Sequence, residues 1–154
     1  MTIRWISQDL ITELAGVLNP LGFSRRKATF SRGRGGYFEL FHIEGSRWNS
    51  GEEPWVFNLD AAVRIVGIPT IPGSRGLWSE AHAVGNVSSI LASAPAEFSV
   101  TQSSVDSKAR ELSDIIVATS NLLPQLLASV RRRALLGLIS PLPVPHTWQE
   151  PGAI

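Results

Sequence analysis

"EGSRWNSGEEPWVFNLDAAV", residues 44–63, closes on the most regular alternation in the chain. In an extended conformation Trp55, Phe57, Leu59, Ala61 and Val63 share one side, and Val56, Asn58, Asp60, Ala62 and Arg64 share the other. This predicts a strand with one face in a core. The run before it, "YFELFHIEGS", alternates too. Tyr37, Glu39, Phe41 and Ile43 lie on one side, and Phe38, Leu40, His42 and Glu44 on the other. The link between the two runs, "SRWNSGEEP", is too short for a parallel crossover, so the pair is expected to be antiparallel. Further toward the N-terminus, "SRRKATFSR" (residues 24–32) reads as one more strand, leading into the glycine-rich turn "GRGG".

Outside this meander the periodicity changes to that of helices. Ile6, Leu10, Ile11, Leu14, Val17 and Leu18 paint one face of an N-terminal helix, with Ser7 as its expected cap. Pro20 and Gly22 in "NPLGF" stop it, and Phe23 is expected to anchor the chain on the core. "GIPTIPGSRG" is a loop; "LWSEAHAVGNVSSILA" is expected to hold a fourth strand and "EFSV" a fifth. Ala109, Leu112, Ile116, Thr119 and Leu123 then recur at helical spacing, and Pro124 divides that helix from "LPQLLASVRRRALLGLI". The expected fold class is α+β: an antiparallel β-meander of about four to five strands, with an N-terminal helix and two C-terminal helices packed on one face. Residues 1–140 form a single domain in this reading, and residues 141–154 an extended proline-rich tail.

Composition narrows the function classes. A chain of 154 residues with 44% hydrophobic content and five tryptophans fills one core, and its 18% charged residues fall below the usual quarter or so. The net charge of +1 exerts no general pull toward nucleic acid or membrane. The absence of cysteine excludes disulfides and thiolate metal sites. "MTIRWISQDLITELAGVL" carries Asp9 and Glu13 early and lacks the basic-then-apolar layout of a signal peptide, so a bacterial cytoplasmic setting without membrane contact is expected.

Candidate chemistry is sparse. His42, His82 and His146 stand apart without companion ligands, so neither a metal nor a cofactor is called for. No nucleophile elbow or phosphate loop occurs and no catalytic residue is assigned, although catalysis by residues that meet only in the fold stays open. Asn58 and Asp60 share a strand face from which such residues are usually depleted, with Arg64 farther along it. His42 and Glu44 would lie opposite them in a suitable register. In "SRWNSG", Asn49 and its serine and glycine neighbours are turn formers, whereas Arg47 and Trp48 exceed what a turn needs. Trp48 is read either as a pin onto the core or as an exposed binding residue. Arg25, Arg26, Lys27, Arg32 and Arg34 form a basic cluster suited either to phosphate contact or to guarding an edge strand. Arg131, Arg132 and Arg133 suit a helix C-terminus.

Several of these segments, "NPLGFSRRKATFSR", "GSRWNSGEEPWVFNLDAAV" and "NLLPQLL", resemble the bacterial domain-of-unknown-function family 4304. The resemblance rests on Pro20 to Phe23 at the helix stop, Phe30 and Arg32 in a strand, and Ser46 to Ser50 in the turn. It continues through Asn58 and Leu59, His82, and Leu123 with Pro124. The chain departs from that pattern at Asp60, where the family usually has glycine, and at Glu44, where glutamine is common. The family has no established activity. The resemblance implies an α+β fold, a bacterial setting and a loose association with accessory or immunity-like proteins.

Three readings of function follow. The first is a non-enzymatic protein-interaction module, of which an immunity-type inhibitor of a toxin is one form, acting through Arg47, Trp48 and Asn49. The second is a small-molecule or nucleotide-binding module, or an enzyme, using Arg47, Asn58, Asp60 and His82 on the open sheet face. The third is nucleic-acid binding by the 25–34 hairpin.

Overall fold

The computed structural model describes residues 3–70 and 79–142. Helix α1 (Ile3–Leu18) is followed by strands β1 (Ser24–Arg26), β2 (Thr29–Gly33), β3 (Tyr37–Gly45), β4 (Trp55–Ile65), β5 (Ala83–Asn86) and β6 (Phe98–Val100). Helices α2 (Val105–Leu122) and α3 (Leu127–Leu135) come next, joined by the 3-10 turn Leu123–Leu126, and β7 (Ser140–Pro141) closes the sheet. The fold is α+β, as expected, with more strands than expected. The sheet order is β1-β2-β3-β4-β5-β7, and β6 pairs with the other half of β4's free edge.

Each addition has a local cause. "SRRKATFSR" is not one strand but two, because Lys27 adopts φ 55 and turns the chain back on itself, pairing Arg26 with Thr29. β7 lies parallel to β5 and makes the sheet mixed. A Cβ at Gly85 would overlap the carbonyl oxygen of Leu142, so this crossing requires glycine. The chain therefore belongs to the body through Leu142, which is buried, two residues beyond the expected end of the domain at residue 140. The remainder of that tail, His146 included, lies outside the described residues. The fourth strand is shorter than its segment, spanning only Ala83–Asn86.

Helix α1 begins earlier than a Ser7 cap would allow. Ser7 sits inside it, and its hydroxyl donates to the Arg4 carbonyl. Ile6, Leu10, Leu14 and Leu18 face the core, and Gly22 at φ 92 ends the segment and delivers Phe23 to Phe41. Val105, Ala109, Leu112 and Ile116 of α2 pack on the same side. The inner row of β4 completes this core, with Trp55 stacked on Phe57 at 4.8 Å and Phe57 on Phe98 at 5.5 Å. Each fully buried large side chain of this kind contributes about 2 kcal/mol. On the opposite face Leu40, Ala62, Ala81 and Val84 form a small second cluster, with polar residues beside it.

Candidate functional site

The loop after β3 is shaped by Asn49. Its side-chain amide donates to the carbonyls of Ser46 and Val56, and its side-chain oxygen accepts from the Val56 N–H at 2.9 Å. Asn49 thereby takes the place of a neighbouring strand at the start of β4, while the Ser46 N–H donates to the Val56 carbonyl. Held in this frame, Trp48 points outward and is 79% exposed. The Arg47 guanidinium lies 4.7 Å over its ring. Trp48 is no pin onto the core; it is presented to solvent.

The polar row also assembles. His42 pairs with Asp60 and Glu44 with Asn58 in the β3–β4 register, so all four side chains occupy the face turned away from the helices. The Thr29 hydroxyl lies 2.9 Å from Nδ1 of His42. Burial first, then the neighbouring Glu44 carboxylate, push the Asp60 carboxyl above its ordinary range, and His42 pulls it back down.

His82 does not join them. It is 1% exposed, its Nδ1 accepts from the Ile65 N–H, and Nε2 donates to the Pro69 carbonyl. Both ring nitrogens are occupied in fastening the segment after β4. Arg47 lies before the start of β4 and His82 bonds Ile65 at its far end, so the 11-residue strand, roughly 30 Å long, runs between them. A single pocket joining Arg47, Asn58, Asp60 and His82 is therefore not what the fold builds.

The basic cluster divides as well. Arg25, Arg26 and Lys27 sit at the β1–β2 turn, and Arg34 lies beyond the opposite end of β2. Arg26 reaches Glu80 at 3.8 Å. Arg32 turns inward: its Nε donates to Glu39 at 2.6 Å, its other nitrogens donate to the Leu21 carbonyl and the Ser120 hydroxyl, and it covers the Phe23 ring. Ser120 donates in turn to the second oxygen of Glu39, which is fully buried. Sequence reasoning missed this network because Ser120 lies 81 residues from Glu39. The available signal was a lone acid between Tyr37 and Phe41 on an otherwise apolar face.

Among the described residues no group of histidine and acidic side chains is placed to hold a metal ion, and no helix is long and apolar enough to cross a membrane. Comparison with protein-family models, with curated proteins and with solved structures gave no match.

Proposed function

We propose that this chain is a non-enzymatic module that binds a protein partner through Arg47 and Trp48. The observation that carries the reading is an indole 79% exposed on a loop that Asn49 holds to β4. Tryptophan and arginine are among the residue types that most often carry the binding energy of an interface. Because the loop is already ordered, little conformational entropy remains to be lost on binding. The partner surface that fits is an apolar pocket for the indole with a carboxylate at its rim for Arg47. An immunity-type inhibitor seated on a toxin is the concrete form we favour, in a bacterial cytoplasmic setting. Kinship with family 4304 belongs to the same proposal and rests on the motifs at Pro20 to Phe23, Ser46 to Ser50 and Asn58 to Leu59.

The test is affinity capture from the host cell with the intact chain and with Trp48→Ala as baits, followed by titration of the captured protein. A stoichiometric partner whose affinity falls about 30-fold in the variant, the effect of losing roughly 2 kcal/mol, is the expected result. Absence of any stoichiometric partner, or equal binding by the variant, sinks the proposal.

A further inference from the structure

A second exposed indole stands at the same end of the molecule as Trp48. Trp5 on α1 is 57% exposed. Helical spacing puts Trp5, Asp9, Thr12 and Glu13 on one stripe, beside the buried stripe of Ile6, Leu10 and Leu14. Asp9, Thr12 and Glu13 form one wall of a cleft of about 210 Å³, and Gln102, Ser103 and Asp106 at the start of α2 form the other. Two hydrogen bonds tie this cleft to the Trp48 loop. The side-chain amide of Gln102 donates to the Asp9 carboxylate at 3.0 Å, and its backbone N–H donates to the Glu53 carboxylate at 3.1 Å. Glu53 lies in the connection that Asn49 holds to β4, two residues before that strand begins. One helical turn, about 6 Å, separates Trp5 from Asp9. The route from one indole to the other is therefore short beside the roughly 30 Å width of a standard interface.

The net charge of +1 conceals an asymmetry between the two ends of the sheet. Around the start of β4, Asp9, Glu13, Glu52, Glu53 and Asp106 stand against Arg4 and Arg47, and Arg47 is stacked on Trp48. Among the described residues none of these five acids is in a salt bridge. At the other end of β4, Ile65 lies in a group with Arg34 and Arg131 that contains no acid. Like charges gathered at one end repel, and a cation seated among them relieves that repulsion. Two aromatic anchors with a charged contact between them match the usual distribution of binding energy across an interface. We infer that the partner surface extends from Trp48 across the acidic cleft to Trp5, and that the partner is a basic protein seating a lysine or arginine side chain against Asp9, Glu13 and Asp106. This rests on the reading of Trp48 as a partner-binding residue, and adds where the partner lies and which charge it carries.

The test titrates the protein captured by the intact chain against Trp5→Ala, Glu13→Gln and Arg34→Gln, the last as a control at the opposite end, in low and high salt. Trp5→Ala is expected to weaken binding about tenfold. Glu13→Gln is expected to weaken it about threefold in low salt, through slower association, with the loss shrinking in high salt. Arg34→Gln is expected to bind as the intact chain does. Thermal midpoints should stay unchanged, since Trp5 and Glu13 are exposed. A protein that requires Trp48 but binds either Trp5→Ala or Glu13→Gln undiminished overturns this inference and leaves the reading of Trp48 standing. Tighter binding by Glu13→Gln, or a loss with Arg34→Gln equal to that with Trp5→Ala, also overturns it. Absence of any stoichiometric partner overturns both.

Discussion

The two faces of the β3–β4 hairpin carry polar residues under opposite conditions. On the helix side Glu39 is fully buried, and Arg32 and Ser120 satisfy both of its oxygens. On the other side Asp60 is half-buried and faces His42 across the strands, and its carboxyl titrates above the ordinary range, first because of burial and then because of Glu44, with His42 opposing both. The contrast shows what a charge in a strand signifies. Under helices it persists only as part of a closed network, because an unpaired buried carboxylate is too costly. On the other face partial burial is tolerated without a closed network, and its cost appears as a raised titration rather than as a paired charge. Neither acid is evidence of a ligand by itself.

The sharpest way to break the contrast is to remove Glu39. Glu39→Ala strands the Arg32 guanidinium, which is four-fifths buried, and is expected to cost about 3–5 kcal/mol in urea unfolding. Replacing both residues by apolar ones, as in Arg32→Met with Glu39→Leu, is expected to cost much less than the two single changes added together. A loss under 1 kcal/mol for Glu39→Ala, roughly the range of an exposed pair, would remove the distinction between the faces.

Asn49→Ala comes next. It deletes the bonds to Ser46 and Val56 and is expected to lower stability by about 1–3 kcal/mol, with faster hydrogen exchange at the Val56 amide. Unchanged exchange at that amide would show that the loop holds its place without Asn49.

A smaller effect is expected at Asp60, with a definite sign. Its carboxyl titrates above the ordinary aspartate value of 3.8, so the folded state holds the proton more tightly than the unfolded chain. The stability tied to that proton is complete below pH 3.8 and is lost as the pH rises through the raised value. Asp60→Asn keeps the shape of the protonated acid. It is expected to raise the thermal midpoint at pH 7, with the advantage vanishing below pH 3.8 in a series of melting curves. A lowered midpoint at pH 7 would mean that the charged form makes a favourable contact.

The least effect on stability belongs to Trp48→Ala, expected within about 0.5 kcal/mol because the ring is mostly in water. Its consequence is reserved for partner binding. A loss of 2 kcal/mol or so in unfolding would recast Trp48 as structural.

Much of this arrangement is legible in the primary sequence. The alternation from Trp55 to Val63 and from Tyr37 to Glu44 identifies two strands, their inner rows and their antiparallel pairing. Period two also places Asn58, Asp60, His42 and Glu44 on a common face before any register is known. The β1–β2 turn escapes such reading because Lys27 in the left-handed region carries no glycine to announce it. β7 escapes because two residues of strand, one of them a proline, have no periodicity to detect. Arg32 looked like its basic neighbours because charge patterning in sequence does not say which side of a hairpin is covered.

What the sequence determined by itself is therefore local: which segments are helix or strand, which side of each is apolar, and which residues exceed the needs of a turn. Periodicity carries that information because side chains repeat at fixed angles along a single element. What only the tertiary structure decided is which polar groups meet across elements. Ser120 reaches Glu39 from a helix 81 residues away, Asn49 turns Trp48 outward, and Gln102 joins Asp9 of α1 to Glu53 of the β3–β4 loop. Those meetings depend on how helices pack on the sheet and how loops close over its ends, and no repeat within a single segment encodes them.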